Sequence, residues 1–163
     1  MLLEAASLVP DIPVIIASQS PAPNSLPQNI RWQSRVSDNR RLYDEGDVCV
    51  QPSHWEGIGL QLLEAQASGL PLITTDASPM NEYRPLATIP VDRMQTVCVF
   101  GDQAVSASLM RPESLANVLK TVHGTNVRHA STMARRFIVE HHSWKSARRR
   151  ILQAMAAINS DFP

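Results

Sequence analysis

The sequence predicts a three-layer α/β domain in which a parallel sheet is flanked by helices. Short runs of β-branched and apolar residues, such as residues 13–17 (PVIIA) and 71–75 (PLITT), recur between segments of helical periodicity. These runs are continuously apolar, as expected of strands covered on both faces, and the alternation of strand with helix implies parallel pairing.

The elements follow in order along the chain. Residues 2–9 are apolar on one helical face and are stopped by Pro10 and Pro13. Residues 13–17 form the first strand. A loop rich in Pro, Ser and Asn, residues 18–29, separates it from a second strand at 30–34. Asp38 is placed to cap a short helix that runs to Glu45 and ends at Gly46. Residues 47–51 form a third strand. A helix over 59–68 is closed by Gly69 in the C′ position, with Pro71 just beyond. Strands at 71–75 and 96–100 come next, and helices at 112–123, 127–142 and 144–158 finish the chain. In the last helix Ala147, Ile151, Ala154, Met155 and Ile158 share a stripe, a spacing that docks a helix onto a core.

Composition sets the class. Of 163 residues, 44 % are apolar and 18 % charged, an ordinary balance for one folded domain with one core. Fifteen basic residues match fifteen acidic ones, so nothing in the net charge calls for nucleic acid. No apolar run approaches the roughly 20 residues of a membrane-spanning helix. Residues 1–10 carry Glu4 and no basic leader, so no signal peptide is expected. Cys49 and Cys98 lie in apolar strand runs without metal or redox spacing and read as buried thiols of a reducing compartment. The expectation is a cytoplasmic globular domain that holds no metal and no cofactor.

Chemistry concentrates in residues 51–76. A strand end leads into Pro52-Ser53-His54-Trp55, then Glu56-Gly57-Ile58-Gly59, then a helix containing Glu64. In parallel α/β sheets ligands bind at such strand-to-helix turns. Glycines on either side of Ile58 let backbone approach a ligand, and the helix start offers unpaired N–H groups to phosphate or a sugar hydroxyl. Glu64 shares a helical stripe with Gln61 and Ser68, and two carboxylates near one site can accept hydrogen bonds from paired hydroxyls. Spacing alone also allows Glu64 to be a solvated surface residue.

The whole string Pro52-Ser53-x-x-Glu56-Gly57-x-Gly59-x-x-x-x-Glu64-Ala65-x-Ala67-x-Gly69-x-Pro71 resembles the signature of the group 1, or family GT4, retaining glycosyltransferases. It includes that family's pair of glutamates separated by seven residues. Residues 75–82 resemble the loop after the next strand, Leu42-Tyr43 the lead-in to the third strand, and Ser143-Trp144 the motif before the last helix. The resemblance implies a Rossmann-like fold, the C-terminal half of a GT-B enzyme. It implies that Glu64 binds the ribose hydroxyls of a nucleoside diphosphate sugar. Glu56 would face the donor sugar as the catalytic electrostatic residue, and Gly57, Ile58 and Gly59 would contact sugar or diphosphate. Ser53 and His54 would line the pocket. No metal is needed, and the sugar, of hexose type, is transferred with retention.

Family members also carry an N-terminal acceptor domain, and a first strand with an Arg and a Lys against the diphosphate. Residues 2–6 match the helix that follows that strand. The chain, residues 1–163, is therefore expected to be a single donor-binding domain lacking both parts. Such a fragment is expected to be inactive in isolation and to work with an N-terminal domain or a separate acceptor subunit. The alternative is a non-catalytic nucleotide-sugar-binding subunit, or a degenerate fragment acting through a partner chain. A bare slot or edge in the sheet is expected to favour a homodimer or altered packing of the first helix. The glycine-rich turn expected after residue 17 is replaced by Ser18-Gln19-Ser20-Pro21.

Other residues read in two ways. His54 and Trp55 either line a sugar pocket or pack the turn. Arg84 either approaches phosphate or is solvent-exposed. His141-His142 lacks the spacing of a helical metal pair. Lys145, Arg148, Arg149 and Arg150 surround the last apolar stripe and are expected to form a solvated helix face, with Arg stems shielding the core, and not a membrane contact.

Overall fold

The computed structural model describes residues 1–34, 38, 41–100 and 103–160. Helix α1 (Leu2–Ser7) leads into strands β1 (Val14–Ala17) and β2 (Ile30–Gln33). Strand β3 (Cys49–Gln51) connects through helix α2 (Leu60–Ala67) to β4 (Leu72–Thr75). A 3₁₀ turn, Met80–Tyr83, precedes β5 (Ala87–Ile89). Strands β6 (Arg93–Phe100) and β7 (Gln103–Leu109) are followed by helices α3 (Pro112–Val122), α4 (Arg128–His141) and α5 (Trp144–Ser160).

The parallel strands form two pieces. Strands β1 and β2 pair with Val14 opposite Ile30, across a loop that contains no regular element. In the other piece the order is β3-β4-β5, with Cys49 opposite Leu72 and Ile73 opposite Ala87. All four residues of β4 are fully buried, and their alternation defines the layers. Leu72 packs with Leu62 of α2 and with Met80 on one face. Ile73 packs with Ala5, Ile89 and Leu115 on the other. Burying Leu115 contributes roughly 1.5–3 kcal/mol.

Helix α1 serves both pieces. Ala5 and Val9 join the cluster around Ile73, while neighbouring Ala6 joins Ile16 and Ile30 from the β1–β2 pair. Only small residues at both positions let one short helix sit this close to two surfaces. Its carbonyl end and the turn after it are held by the Asn29 amide, which donates to the carbonyls of Ala6, Val9 and Ile12 at 3.0, 3.0 and 2.9 Å. Two N–H groups serve three acceptors, so one bond is shared.

Several expectations are revised. The strand expected at 96–100 begins at Arg93 and does not extend the parallel sheet. It pairs antiparallel with β7, which the sequence reading missed because its Ala and Ser residues give little apolar signal. Strand β5 was also missed, since three residues leave no readable period. The helix expected over 38–45 falls partly on residues 39 and 40, outside the described residues, and from Arg41 to Gly46 the chain runs in turns. The stripe on α5 is not docked: Ile151 and Met155 are 59 % and 56 % exposed. The helix reaches the end of α4 through Arg150, which donates to the His141 carbonyl at 2.9 Å, and Ser146 is its buried residue.

Replacing Asn29 by alanine removes the side-chain donor shared by the Ala6, Val9 and Ile12 carbonyls, of which Ala6 and Val9 keep a backbone donor. It is expected to lower unfolding stability by ~1–3 kcal/mol in urea denaturation. An unchanged midpoint would show that water replaces the amide without cost.

Candidate functional site

The site begins where β3 stops. Pro52 has no N–H to continue the strand ladder, and the chain turns away from the sheet. The turn is tied to β4 by two buried hydroxyls. Thr74 Oγ1 donates to the Gln51 carbonyl at 2.8 Å, and Thr75 Oγ1 to the Ser53 carbonyl at 2.6 Å. Ser53 in turn donates its hydroxyl to Glu56 Oε1 at 2.7 Å, fixing one oxygen of a half-buried carboxylate. His54 is held from the other side, its Nδ1 lying 2.8 Å from the Ser108 carbonyl while the Ser108 N–H donates to the His54 carbonyl at 2.7 Å.

Gly59 then sets the start of α2. It adopts a left-handed conformation with φ of 64°, and a Cβ there would lie 2.8 Å from Leu62 Cδ1. Glycine is therefore required on two grounds, backbone and space. Because it has no side chain to cap the helix, the first amides of α2 are left to solvent or a ligand. The Tyr83 hydroxyl donates to the Ile58 carbonyl and steadies the residue just before. Burial holds that phenol above its usual range, reinforced by the charges of Glu82 and Glu56.

These residues open on a cleft of about 400 Å3 lined by Glu56, Ile58, Gly59, Leu60 and Gln61. Glu64 lies one turn beyond Gln61, exposed and outside that lining, and accepts a hydrogen bond from the Tyr43 hydroxyl at 3.2 Å. Gln51 Nε2 donates to Gln61 Oε1 at 2.8 Å, linking the strand end to the same helix face. Burial, and next the Glu64 charge, push the Tyr43 phenol far above its usual range, so it stays a donor at physiological pH. Burial likewise pushes the Cys49 thiol up to about 11, so it stays protonated.

The structure brings together Glu56, Ile58 and Gly59, with Ser53 as the tether of Glu56 and Glu64 on the adjoining turn. Gly57 is exposed, and a Cβ there would meet nothing within 4 Å. His54 is directed to the β7 strand, so its ring packs the turn. Arg84 stacks its guanidinium over Phe137 of α4, 5.2 Å from the ring centroid. Tyr83 and Tyr43 were not singled out as site residues. Tyr43 stood in the lead-in to β3 and Tyr83 beside Asn81-Glu82, but nothing in the spacing showed that either reaches the α2 start.

A profile described as glycosyl transferases group 1 matches residues 1–85. The chain is 31 % identical over 85 residues to the UDP-Gal:alpha-D-GlcNAc-diphosphoundecaprenol alpha-1,3-galactosyltransferase of Escherichia coli, covering 46 % of this chain and 22 % of that protein. It is 47 % identical over 36 residues to the lipopolysaccharide core biosynthesis mannosyltransferase LpsB of Rhizobium meliloti (strain 1021), covering 22 % of this chain and 10 % of that protein. The chain thus matches less than a quarter of the length of either relative.

The two glycines of the turn should respond differently to substitution. Gly59→Ala is expected to cost ~1–2 kcal/mol from its left-handed backbone, with further loss from the Leu62 contact. Gly57→Ala should stay within about 0.5 kcal/mol of the parent. Thermal unfolding of both variants checks this, and equal Tm values would contradict the assigned backbone.

Proposed function

The chain belongs to the group 1 glycosyltransferases, and from that premise we propose that it is the donor-binding part of a retaining enzyme of the GT4 type. In this reading it presents a nucleoside diphosphate sugar of hexose type for transfer to an acceptor. The observation that carries the proposal is the cleft at the start of α2, where uncapped amides and the tethered Glu56 share one opening. An anionic diphosphate is favoured at a helix N-terminus. The Glu56 carboxylate, held by Ser53 through one oxygen, has the other to offer a sugar hydroxyl or a developing positive charge. Glu64, positioned by Tyr43, accepts from the ribose hydroxyls. Positioning and electrostatics supply the rate enhancement, and a donor phosphate oxygen takes the acceptor proton.

The acceptor site belongs to an N-terminal domain or a separate subunit. The names of the relatives point to a lipid-linked or lipopolysaccharide acceptor as the class to try first.

A thermal-shift screen with UDP-, GDP- and ADP-sugars tests the reading. One donor series should raise the Tm, and Glu64→Ala should weaken that donor roughly 10–100-fold, the loss of a hydroxyl–carboxylate bond. The purified chain should bind donor yet show no sugar transfer to a lipid-linked acceptor. Failure of every donor, or undiminished binding by Glu64→Ala, would contradict the assignment.

A further inference from the structure

Tyr83 stands outside the cleft lining and is fixed to the helix that borders it. Its ring packs against the cluster of Leu62, Leu72 and Met80. Its carbonyl accepts from Gln66 Nε2 at 2.7 Å, and Gln66 is a buried residue of α2. Held in this way, Tyr83 turns its hydroxyl to the Ile58 carbonyl, and its Cε2 lies 3.5 Å from where a Gly59 Cβ would sit. Burial, then the charges of Glu82 and Glu56, raise the phenol above its ordinary range, so it remains a donor at physiological pH.

This contact holds a peptide that the backbone leaves free. The amides of Leu62 and Leu63 both donate to the Gly59 carbonyl, at 3.0 and 3.2 Å, so the Ile58 carbonyl stays outside the α2 ladder. Gly59 is buried, and among the described residues its N–H meets no acceptor. Buried backbone donors are nearly always paired in folded proteins. A peptide free at both ends can turn over through opposite changes in the flanking ψ and φ. The residue after it here is glycine, which tolerates either sign of φ and stands at 64°. In a planar trans peptide the C=O and N–H point in opposite directions. Drawing the Ile58 carbonyl to Tyr83 therefore sends the Gly59 N–H the other way.

We infer that Tyr83 is a positioning residue for the donor: its hydroxyl locks the Ile58–Gly59 peptide with the Gly59 N–H turned into the cleft, toward the diphosphate. The inference rests on the donor-binding reading of that cleft. Tyr83 itself does not touch the ligand. Without the hydroxyl two orientations of the peptide compete, and the second turns a carbonyl oxygen toward an anion. Apparent affinity then falls with the fraction of molecules that remain competent.

Isothermal titration of the whole chain with UDP, GDP and ADP tests this, alongside NMR of the chain labelled with 15N-glycine. The sequence has six glycines, so the Gly59 resonance can be followed individually. In the parent chain one of the three diphosphates should bind and displace that resonance. Tyr83→Phe keeps the ring, and its circular dichroism should match the parent. It should weaken the same diphosphate ~2–10-fold, the population ratio that one neutral hydrogen bond controls. In the ligand-free variant the Gly59 resonance should already be moved or broadened, while Gly69 and Gly124 stay in place. If none of the three diphosphates binds the parent, the donor reading itself fails and the inference with it. Binding to the parent with undiminished affinity in Tyr83→Phe would overturn the role of Tyr83 alone. So would weakened binding in which Gly69 and Gly124 move as much as Gly59, the mark of a general loosening. Diphosphate binding to the parent that leaves the Gly59 resonance unmoved would overturn it without any variant.

Discussion

Strand β4 carries two threonines at its carboxyl end, both excluded from solvent on both faces of the sheet. A buried hydroxyl without a partner is costly, by about 1–3 kcal/mol. The partners available are the carbonyls of Gln51 and Ser53, which leave the β3 ladder once Pro52 interrupts it. Two needs are thus met by one pair of bonds: the threonines are satisfied and the turn is fixed. From there the geometry propagates. Ser53 is placed to hold Glu56, Gly59 takes the backbone round, and α2 starts beside the cleft. Valine at both threonine positions would preserve the shape while removing the tether.

Helix α2 is gripped along its length, and this gives the site rigidity. At its start Tyr83 reaches the Ile58 carbonyl, while Gln66, buried two turns on, donates to the Tyr83 carbonyl at 2.7 Å. At its end helix α4 supplies donors to the last carbonyls. Ser131 donates to Gly69 at 2.6 Å, and Arg135 donates to Ala67, where a cation also complements the helix dipole. Helix α4, distant in sequence, therefore orients the same helix whose opposite end faces the cleft.

Much of this was legible in the sequence, for identifiable reasons. The continuous apolar run ending in Thr74 and Thr75 marked a buried strand, and Gly59 and Gly69 marked the two ends of α2. Both observed backbones there are left-handed, with φ of 64° and 86°. Local chemistry dictates such features, so a single sequence carries them. What escaped depended on distant partners. The β7 strand of alanine and serine is recognisable only once β6 lies beside it. The Asn29 amide serves carbonyls 17 to 23 residues away, which no local pattern encodes. The error on α5 was of another kind. Its apolar period is there, but the same period suits a docked helix and one whose stripe faces outward, and only the packing of the whole domain distinguishes them.

The central claim is that the β4 tether and Gly59 present the first amides of α2 to a donor diphosphate. Backbone amide resonances, followed by NMR while the stabilising nucleotide sugar is titrated in, test it most directly. The account predicts the largest shifts at Gly57 to Gln61, with smaller ones at Glu64 and Tyr43. Shifts centred on α4 and α5, or spread evenly with none at the start of α2, would contradict it.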